Sequence, residues 1–320
     1  MTQSALALDS SNGSIVCTVF ENTYHLGVGA LVNSLHKCGY RGEVYAAYRG
    51  ALPPWVTIES GSDGGTLVHR VTEDLSIRFV WQDTDEMLAN IKPQIINQVW
   101  ACYGEQIDNV FYFDCDIVVK CKWLHFETWA AFGIALCEDI NSPFHRTHPL
   151  RMQWKAYYAG FDVNYEPKDD TYVNGGFVGI NRKYKSFADL WGQLQEYMVE
   201  YTGKQHRIGI ADRWNPFHLM DQDALNVAKD LSPQVSVMGK EAMDFGKIGY
   251  VMSHAAGSKK PWTKQYLKGV LTGGLRPGNA DKAYWANVAS PIKLYSSTTL
   301  WRKRTAINLA TLIGRFYTRT

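Results

Sequence analysis

The chain has 320 residues, 46% of them hydrophobic and 20% charged, with a formal net charge of +2. That length admits one large α/β domain or two small ones with a sizeable core, and that balance excludes a disordered chain. A net charge so near zero argues against a general nucleic-acid binder, although Lys282 to Thr320 holds seven Lys or Arg and no Asp or Glu.

Met1 to Ser14 is polar and lacks the apolar stretch of a secretory leader. Ser14 to Phe20 is a short apolar run with β-branched residues and reads as a buried strand. A loop over Glu21 to Tyr24 leads into a helix over Leu26 to Cys38, where Ala30, Leu31, Leu35 and Cys38 recur at helical spacing and Gly39 stops it. Glu43 to Tyr48 reads as a second strand, so the chain opens like a parallel, doubly wound sheet. After the turn-rich Pro53 to Gly65 come strands over Leu67 to Val71 and Arg78 to Trp81, a helix over Pro93 to Tyr103, and a strongly apolar strand over Asn109 to Phe113. Phe132 to Cys137 and Gly176 to Ile180 read as further strands. Asn141 to Thr171, between them, is long and aromatic with no clear period. Phe187 to Tyr201 reads as an amphipathic helix with Phe187, Leu190, Trp191, Leu194 and Met198 on one face. Tyr250 to Ser253 reads as a strand ending at His254, and loop and helix follow from Trp262.

Six cysteines form no C-x-x-C pair, and several lie in apolar runs as small hydrophobes, so a reducing, cytoplasmic setting is expected. No run of 18 apolar residues exists, so no membrane span is expected. Eleven Trp and 18 Tyr suit either sugar stacking or an ordinary core.

Asp114 and Asp116 follow the Asn109 to Phe113 strand, where ligands of an open α/β sheet collect. Two carboxylates at i and i+2 can converge on one hard cation that neutralises phosphate. Two loop aspartates at a turn fit the same pattern, and position alone does not decide. His254 also ends an apolar strand and adds a nitrogen, which favours Mn²⁺ over Mg²⁺; a satisfied core histidine is the plain alternative. Lys260 can set a point charge on a diphosphate, and Gly257 permits close backbone approach.

With those residues in view, the chain resembles GT-A glycosyltransferases, close to glycosyltransferase family 8, the glycogenin and bacterial lipooligosaccharide galactosyltransferase group. Four segments carry the resemblance, over roughly residues 14 to 268. They are Thr18-Val19-Phe20-Glu21-Asn22-Thr23-Tyr24; Asp114-Cys115-Asp116; Asn174-Gly175-Gly176 followed by Asp221-Gln222-Asp223-Ala224-Leu225-Asn226; and the H-x-x-G-x-x-K-P-W stretch from His254 to Trp262. The resemblance implies an α/β GT-A (nucleotide-diphospho-sugar transferase) fold, with one Rossmann-like mixed sheet flanked by helices. Residues 1–270 would form the catalytic domain and 271–320 a basic helical extension.

It further implies that Asp114, Asp116 and His254 hold Mn²⁺, or Mg²⁺ in its place, and that Lys260 and Gly257 contact the donor diphosphate. Thr18, Asn22 and Tyr24 would receive the uridine. Asn174, Gly175 and Asp221 would contact the donor sugar. Gln222 would lie by the anomeric carbon, steadying positive charge in a front-side, retaining transfer. Asp221 and Asp223 also suit the first turn of a helix. The basic residue that the family places before its D-x-D strand is Lys92 or Arg78 here, Lys92 being favoured, with a surface lysine as the alternative. Cys115 is expected to point into the core.

The donor would be a UDP-sugar, UDP-galactose or UDP-glucose, and the acceptor a glycan or glycolipid. A nucleotidyltransferase of related fold would need a Gly-rich basic loop after the first strand, which Phe20 to Tyr24 is not. A non-catalytic carbohydrate-binding protein would not need Asp114, Asp116, His254 and Lys260 together. His145, Arg146, His148, Arg151, Trp154 and Tyr157, with His206, Arg207, Arg213 and Trp214, form two inserts that could face an acceptor or simply be solvated loop. Thr299 to Arg319 interleaves basic with apolar and aromatic residues. It reads either as an interfacial helix on an anionic membrane, placing the protein peripherally on the inner face of the plasma membrane, or as a helix docked on its own domain.

Overall fold

The structure is a computed structural model that describes residues 13–57, 66–203, 215–246 and 248–316. Its centre is an eight-stranded mixed sheet. Strands β1 (Ser14–Glu21), β2 (Gly42–Arg49), β3 (Thr66–Thr72), β4 (Leu75–Trp81), β5 (Asn109–Phe113), β7 (Ile134–Glu138), β8 (Val173–Asn181) and β9 (Val235–Met238) lie in the order β3-β4-β2-β1-β5-β8-β7-β9. The run β4-β2-β1-β5 is parallel, as the strand–helix–strand opening predicts. β8 then pairs antiparallel with both β5 and β7, and β3 closes its edge antiparallel. The sheet is therefore mixed rather than parallel throughout.

Its central strands are buried on both faces and read as unbroken apolar runs for that reason. In β1, Ile15, Cys17 and Val19 face one core, under α2 (Lys92–Tyr103), α5 (Ser186–Thr202) and α6 (Met220–Leu231). Val16 and Phe20 face the other, under α1 (His25–Lys37) and α3 (Leu124–Ala131). Period-two alternation thus sorts one strand into two cores.

Two departures from the sequence reading have clear causes. Asn141 to Thr171 contains α4 (Pro149–Ala159), opened by Pro149 and by the His148 side chain accepting from the Leu150 amide. Its buried face is Arg151, Trp154 and Tyr158, so a charged residue interrupts the apolar period. The Tyr250 to Ser253 strand is β10 (Met252–His254), and it lies outside the main sheet. It pairs antiparallel with β6 (Ile117–Val119), a three-residue strand too short to show a period.

The C-terminal residues pack onto this body through α7 (Tyr266–Gly273), α8 (Asn279–Ala286) and α9 (Ser297–Ile313). Tyr266, Val270, Tyr284, Trp285, Ile307 and Ala310 form one cluster with Ala30 of α1 and Val118 of β6. Asn33 of α1 donates to the carbonyls of Asn287 and Ile292 at 2.8 Å each and accepts from the Ile292 amide at 2.7 Å. Among the described residues no helix is long and apolar enough to cross a membrane.

Candidate metal centre and cleft

The alternation of β5 extends past its end. The Tyr112 hydroxyl donates to Asp114 Oδ1 at 2.7 Å, on the Tyr112 side, while Cys115 joins Phe111 and Phe113 in the opposite core. Burial in that core pushes the Cys115 thiol well above its ordinary pKa. The chain then turns, with the Ile117 amide donating to Asp114 O at 3.0 Å, and β6 leads directly to β10. In that ribbon His254 stands opposite Ile117, and the Ala255 amide donates to Asp116 O at 3.2 Å. A two-strand ladder thus brings together residues 138 positions apart in the chain (254 − 116).

His254 Nε2 lies 3.2 Å from Asp116 Oδ1 and 3.7 Å from Asp114 Oδ2. One ligand atom from each of the three residues falls within 4.8 Å of the others. His254 Nδ1 is buried with no hydrogen-bond partner. A glycine in β8 makes room for this cluster. A Cβ on Gly176 would sit 2.5 Å from His254 Cε1 and 3.0 Å from Asp114 Oδ2. Beneath the turn, a Cβ on Gly27 would sit 2.4 Å from Cys115 O, so α1 packs directly against the acidic segment. Two carboxylates and an imidazole are a hard, partly nitrogen donor set that fits Mn²⁺.

Lys260 Nζ is 2.5 Å from Asp116 Oδ2 and donates to Ala255 O at 2.9 Å. Burial alone would raise the Asp116 carboxyl, but facing His254 and Lys260 hold it well below the usual carboxylate range. The Tyr24 ring lies edge-on to Trp262 at 5.5 Å, and Lys260 Nζ lies 5.7 Å from its centroid. Asn22 is exposed, at φ +52°, a conformation asparagine tolerates. Thr18 is buried in β1 with its hydroxyl unpartnered. Gly257 is exposed, in open space where no neighbour would crowd a side chain.

Lys92 is not a surface lysine. It is 3% exposed, and its Nζ lies 2.7 Å from Asp221 Oδ2, 3.2 Å from Asp114 Oδ1 and 2.9 Å from Gly175 O. Burial would lower its pKa, but the two carboxylates outweigh that and raise it. Arg78 pairs instead with Glu43 at 2.5 Å. Asp221 and Gln222 lie in the first turn of α6, and the Trp191 indole fixes that turn by donating to Asp221 O at 2.8 Å. Gln222 Oε1 accepts from the Gly175 amide at 2.9 Å. That bond orients the side chain and leaves its amide nitrogen, buried beside the Tyr172 hydroxyl, without a hydrogen bond of ordinary geometry. The free end of Gln222 is therefore a donor.

Asn174 Nδ2 donates to Asp139 Oδ2 at 2.6 Å, and its Oδ1 accepts from the Gly176 amide at 2.9 Å. Asp139, at the end of β7, went unnoticed in the sequence because nothing there reveals that β7 and β8 are neighbours.

Asp223 is buried and accepts from the Tyr172 hydroxyl at 2.6 Å and the Leu219 amide at 2.9 Å. Burial pushes its carboxyl up to about 7, with the charges of Asp221 and Asp139 adding to the rise and the two hydrogen bonds opposing it. A folded-state pKa above the unfolded value contributes stability at low pH that is lost as pH rises through the folded value. Asp223→Asn is therefore expected to gain several degrees in Tm relative to the parent between about pH 5 and about pH 8. Parallel Tm–pH curves for the two proteins would show that Asp223 does not titrate in this window.

The acceptor-side expectations are partly corrected. Arg151 is fully buried, lying 3.2 Å from Asp230 Oδ2 and donating to the carbonyls of Asp169 and Thr171, so it pins the 160–172 segment and faces no ligand. Trp154 is buried and donates to Pro216 O. The Tyr157 hydroxyl is taken by Tyr197 O at 2.7 Å. His145 and Arg146 are exposed beside Asp170, and His148 caps α4. His206, Arg207, Arg213 and Trp214 lie outside the described residues.

No protein-family model matches this chain, and no curated protein sequence does. Solved structures share its fold. A WbbM bifunctional glycosyltransferase in apo form aligns with TM-score 0.53 and 12% identity over 92% of this chain; the chain spans 52% of that protein's length. An active-site mutant of LgtC aligns with TM-score 0.53 and 13% identity, over 91% of this chain and 99% of its own. The fold is the mixed α/β GT-A arrangement that the sequence resemblance implies.

Proposed function

We propose that this chain is a metal-dependent retaining glycosyltransferase that moves a hexose, galactose or glucose, from a UDP-sugar to a glycan or lipid-linked acceptor. The observation that carries the reading is the convergence of Asp114, Asp116 and His254 within 4.8 Å, with Lys260 on Asp116. A Mn²⁺ ion held by those three residues would neutralise the donor diphosphate and assist its departure.

The side chains divide the remaining work. A diphosphate would take over from Asp116 as the partner of Lys260, so its ammonium can follow the developing negative charge. Tyr24, against Trp262, offers a ring face for the uracil. Gly257 leaves its backbone open to a phosphate. Thr18 and Asn22 supply hydrogen-bonding groups along the same opening segment. The unpaired amide nitrogen of Gln222 donates to a sugar oxygen, and Asn174 and Asp221 frame the sugar from either side of Gly175.

Asp221 is committed to Lys92 and Asp223 to Tyr172, so neither carboxylate is free to attack the anomeric carbon. That supports a front-side path. The acceptor oxygen bonds to the anomeric carbon on the face the diphosphate leaves, and the leaving phosphate oxygen takes the acceptor proton. UDP-galactose and UDP-glucose hydrolysis with and without Mn²⁺ is the direct test. Hydrolysis at the same rate in EDTA would sink the metal-dependent reading.

The tail belongs to the same proposal. On α9, Ile307 and Ala310 dock on the body while Trp301, Leu309 and Leu312 face outward, with Arg302 next to Trp301 and with Arg315 and Phe316 just beyond the helix. Tyr317 and Arg319 lie outside the described residues. An apolar stripe flanked by arginines suits an anionic bilayer surface, which would place the enzyme on the inner face of the plasma membrane. Cosedimentation with phosphatidylglycerol vesicles should fall at least about tenfold in Trp301→Ala/Phe316→Ala, since each buried ring contributes more than about 1 kcal/mol. Unchanged cosedimentation would rule this surface out.

A further inference from the structure

Two cavities adjoin on the C-terminal side of the molecule. One, of about 670 Å³, runs along α7 past Lys259, Lys264, Lys268 and Arg276. The other, of about 340 Å³, lies between α7 and α9 and is walled by Lys268, Arg302 and Lys303. Gln265, Tyr266 and Lys268 line both, so they form one groove. Its size is that of a small-molecule site.

Among the described residues lining the groove, Lys259, Lys264, Lys268, Arg302 and Lys303 gather around a single carboxylate, that of Asp281. Asp281 is already spent. It accepts from Lys264 Nζ at 2.8 and 3.0 Å, from the Tyr266 hydroxyl at 3.2 Å and from the Gly278 amide at 2.8 Å. Lys303 is held in place rather than left loose. It donates to Lys264 O at 3.2 Å, and its ammonium lies over the rings of Trp285 and Tyr266 at 5.6 and 6.0 Å. In a chain of net charge +2 this surplus is local. Like charges gathered around a concavity repel one another until an anion enters it.

The geometry points to a binding groove for a phosphate-bearing ligand, a phosphomonoester or diphosphate, seated between α7 and α9. Lysines give point charges and Arg302 a planar fork, a set that matches a tetrahedral anion of multiple charge better than a lone carboxylate. The Tyr266 ring and the Leu275 and Ala306 side chains leave part of the wall apolar, which suits an organic remainder on the phosphate. Lys259, at one rim, directly precedes Lys260 of the metal centre, and α9 with its outward Trp301 forms the other rim. The inference uses none of Asp114, Asp116 or His254 and does not depend on the donor reading.

The test is calorimetric titration of inorganic pyrophosphate into the full chain in EDTA at low ionic strength. Saturable binding is expected. It should weaken at least about tenfold in Lys268→Glu/Arg302→Glu, a change at two exposed side chains, and persist in Asp116→Ala. Flotation with phosphatidylcholine vesicles containing a minor fraction of phosphatidic acid separates the two phosphate sources. Retention relieved by pyrophosphate identifies a lipid phosphate in the groove, and pyrophosphate binding without retention identifies a soluble one. Binding unchanged in the double variant, or lost in Asp116→Ala, would overturn the proposal. So would the lack of pyrophosphate binding together with vesicle retention that pyrophosphate does not relieve.

Discussion

Asp116→Ala is expected to lose Mn²⁺-stimulated hydrolysis of UDP-galactose or UDP-glucose by roughly 10²–10³-fold, equivalent to about 3–4 kcal/mol of transition-state stabilisation. Asp116 holds both His254 and Lys260, through separate oxygens. On the proposed reading, its loss removes a cation ligand and releases the lysine that would follow the leaving group. The effect should appear in kcat more than in KM, because the charge being stabilised develops in the transition state. Circular dichroism should be unchanged, since the ribbon of β6 and β10 is held by backbone bonds. A variant as active as the parent would remove the metal assignment and with it the functional reading.

Lys92→Met should cost about 3–5 kcal/mol of stability in urea denaturation, because it strands the Asp221 and Asp114 carboxylates beside each other in a largely buried setting. The companion variant Lys92→Met/Asp221→Asn should recover at least half of that loss by removing the stranded charge. Equal losses in both variants would mean that Lys92 contributes through packing and not through charge. The activity of the single variant should fall as well. Lys92 is the strut that ties α6, which carries Gln222, to the acidic pair at the end of β5.

The parts of this molecule that were legible in its sequence share one property: a local period that burial enforces. β1, β5 and the face of α5 are unbroken or regularly spaced apolar runs, and their boundaries fall within two residues of the expectation. The Asp114 and Asp116 pair was readable because it follows such a run. α4 was not, since Arg151 occupies its buried face and is neutralised by Asp230, which lies far along the chain. β6 and β9 are too short, at three and four residues, to display alternation. Lys92 could be proposed only through resemblance, because its burial depends on where Asp221 folds. The orientation of Gln222 is set by the Gly175 amide, a backbone group invisible to any pattern of side chains. Asp139 and Gly176 matter for the same reason, as neighbours made by sheet order and not by sequence.

The short ribbon of β6 and β10 has a consequence for when the proposed metal site is completed. The eight-stranded sheet is complete at Met238, and β5, the strand that leads into Asp114 and Asp116, lies inside it. Their third partner arrives only with residues 252–254. During synthesis the acidic pair would therefore emerge as a weak two-carboxylate site, open to any hard divalent cation. On the proposed reading, the nitrogen ligand that would favour manganese is added last, beside Ile117. Asp114, Asp116 and His254 would hold such an ion between the acidic turn and the segment that carries Lys260. It would act as a clasp on the chain from residue 252 onward as well as a reagent.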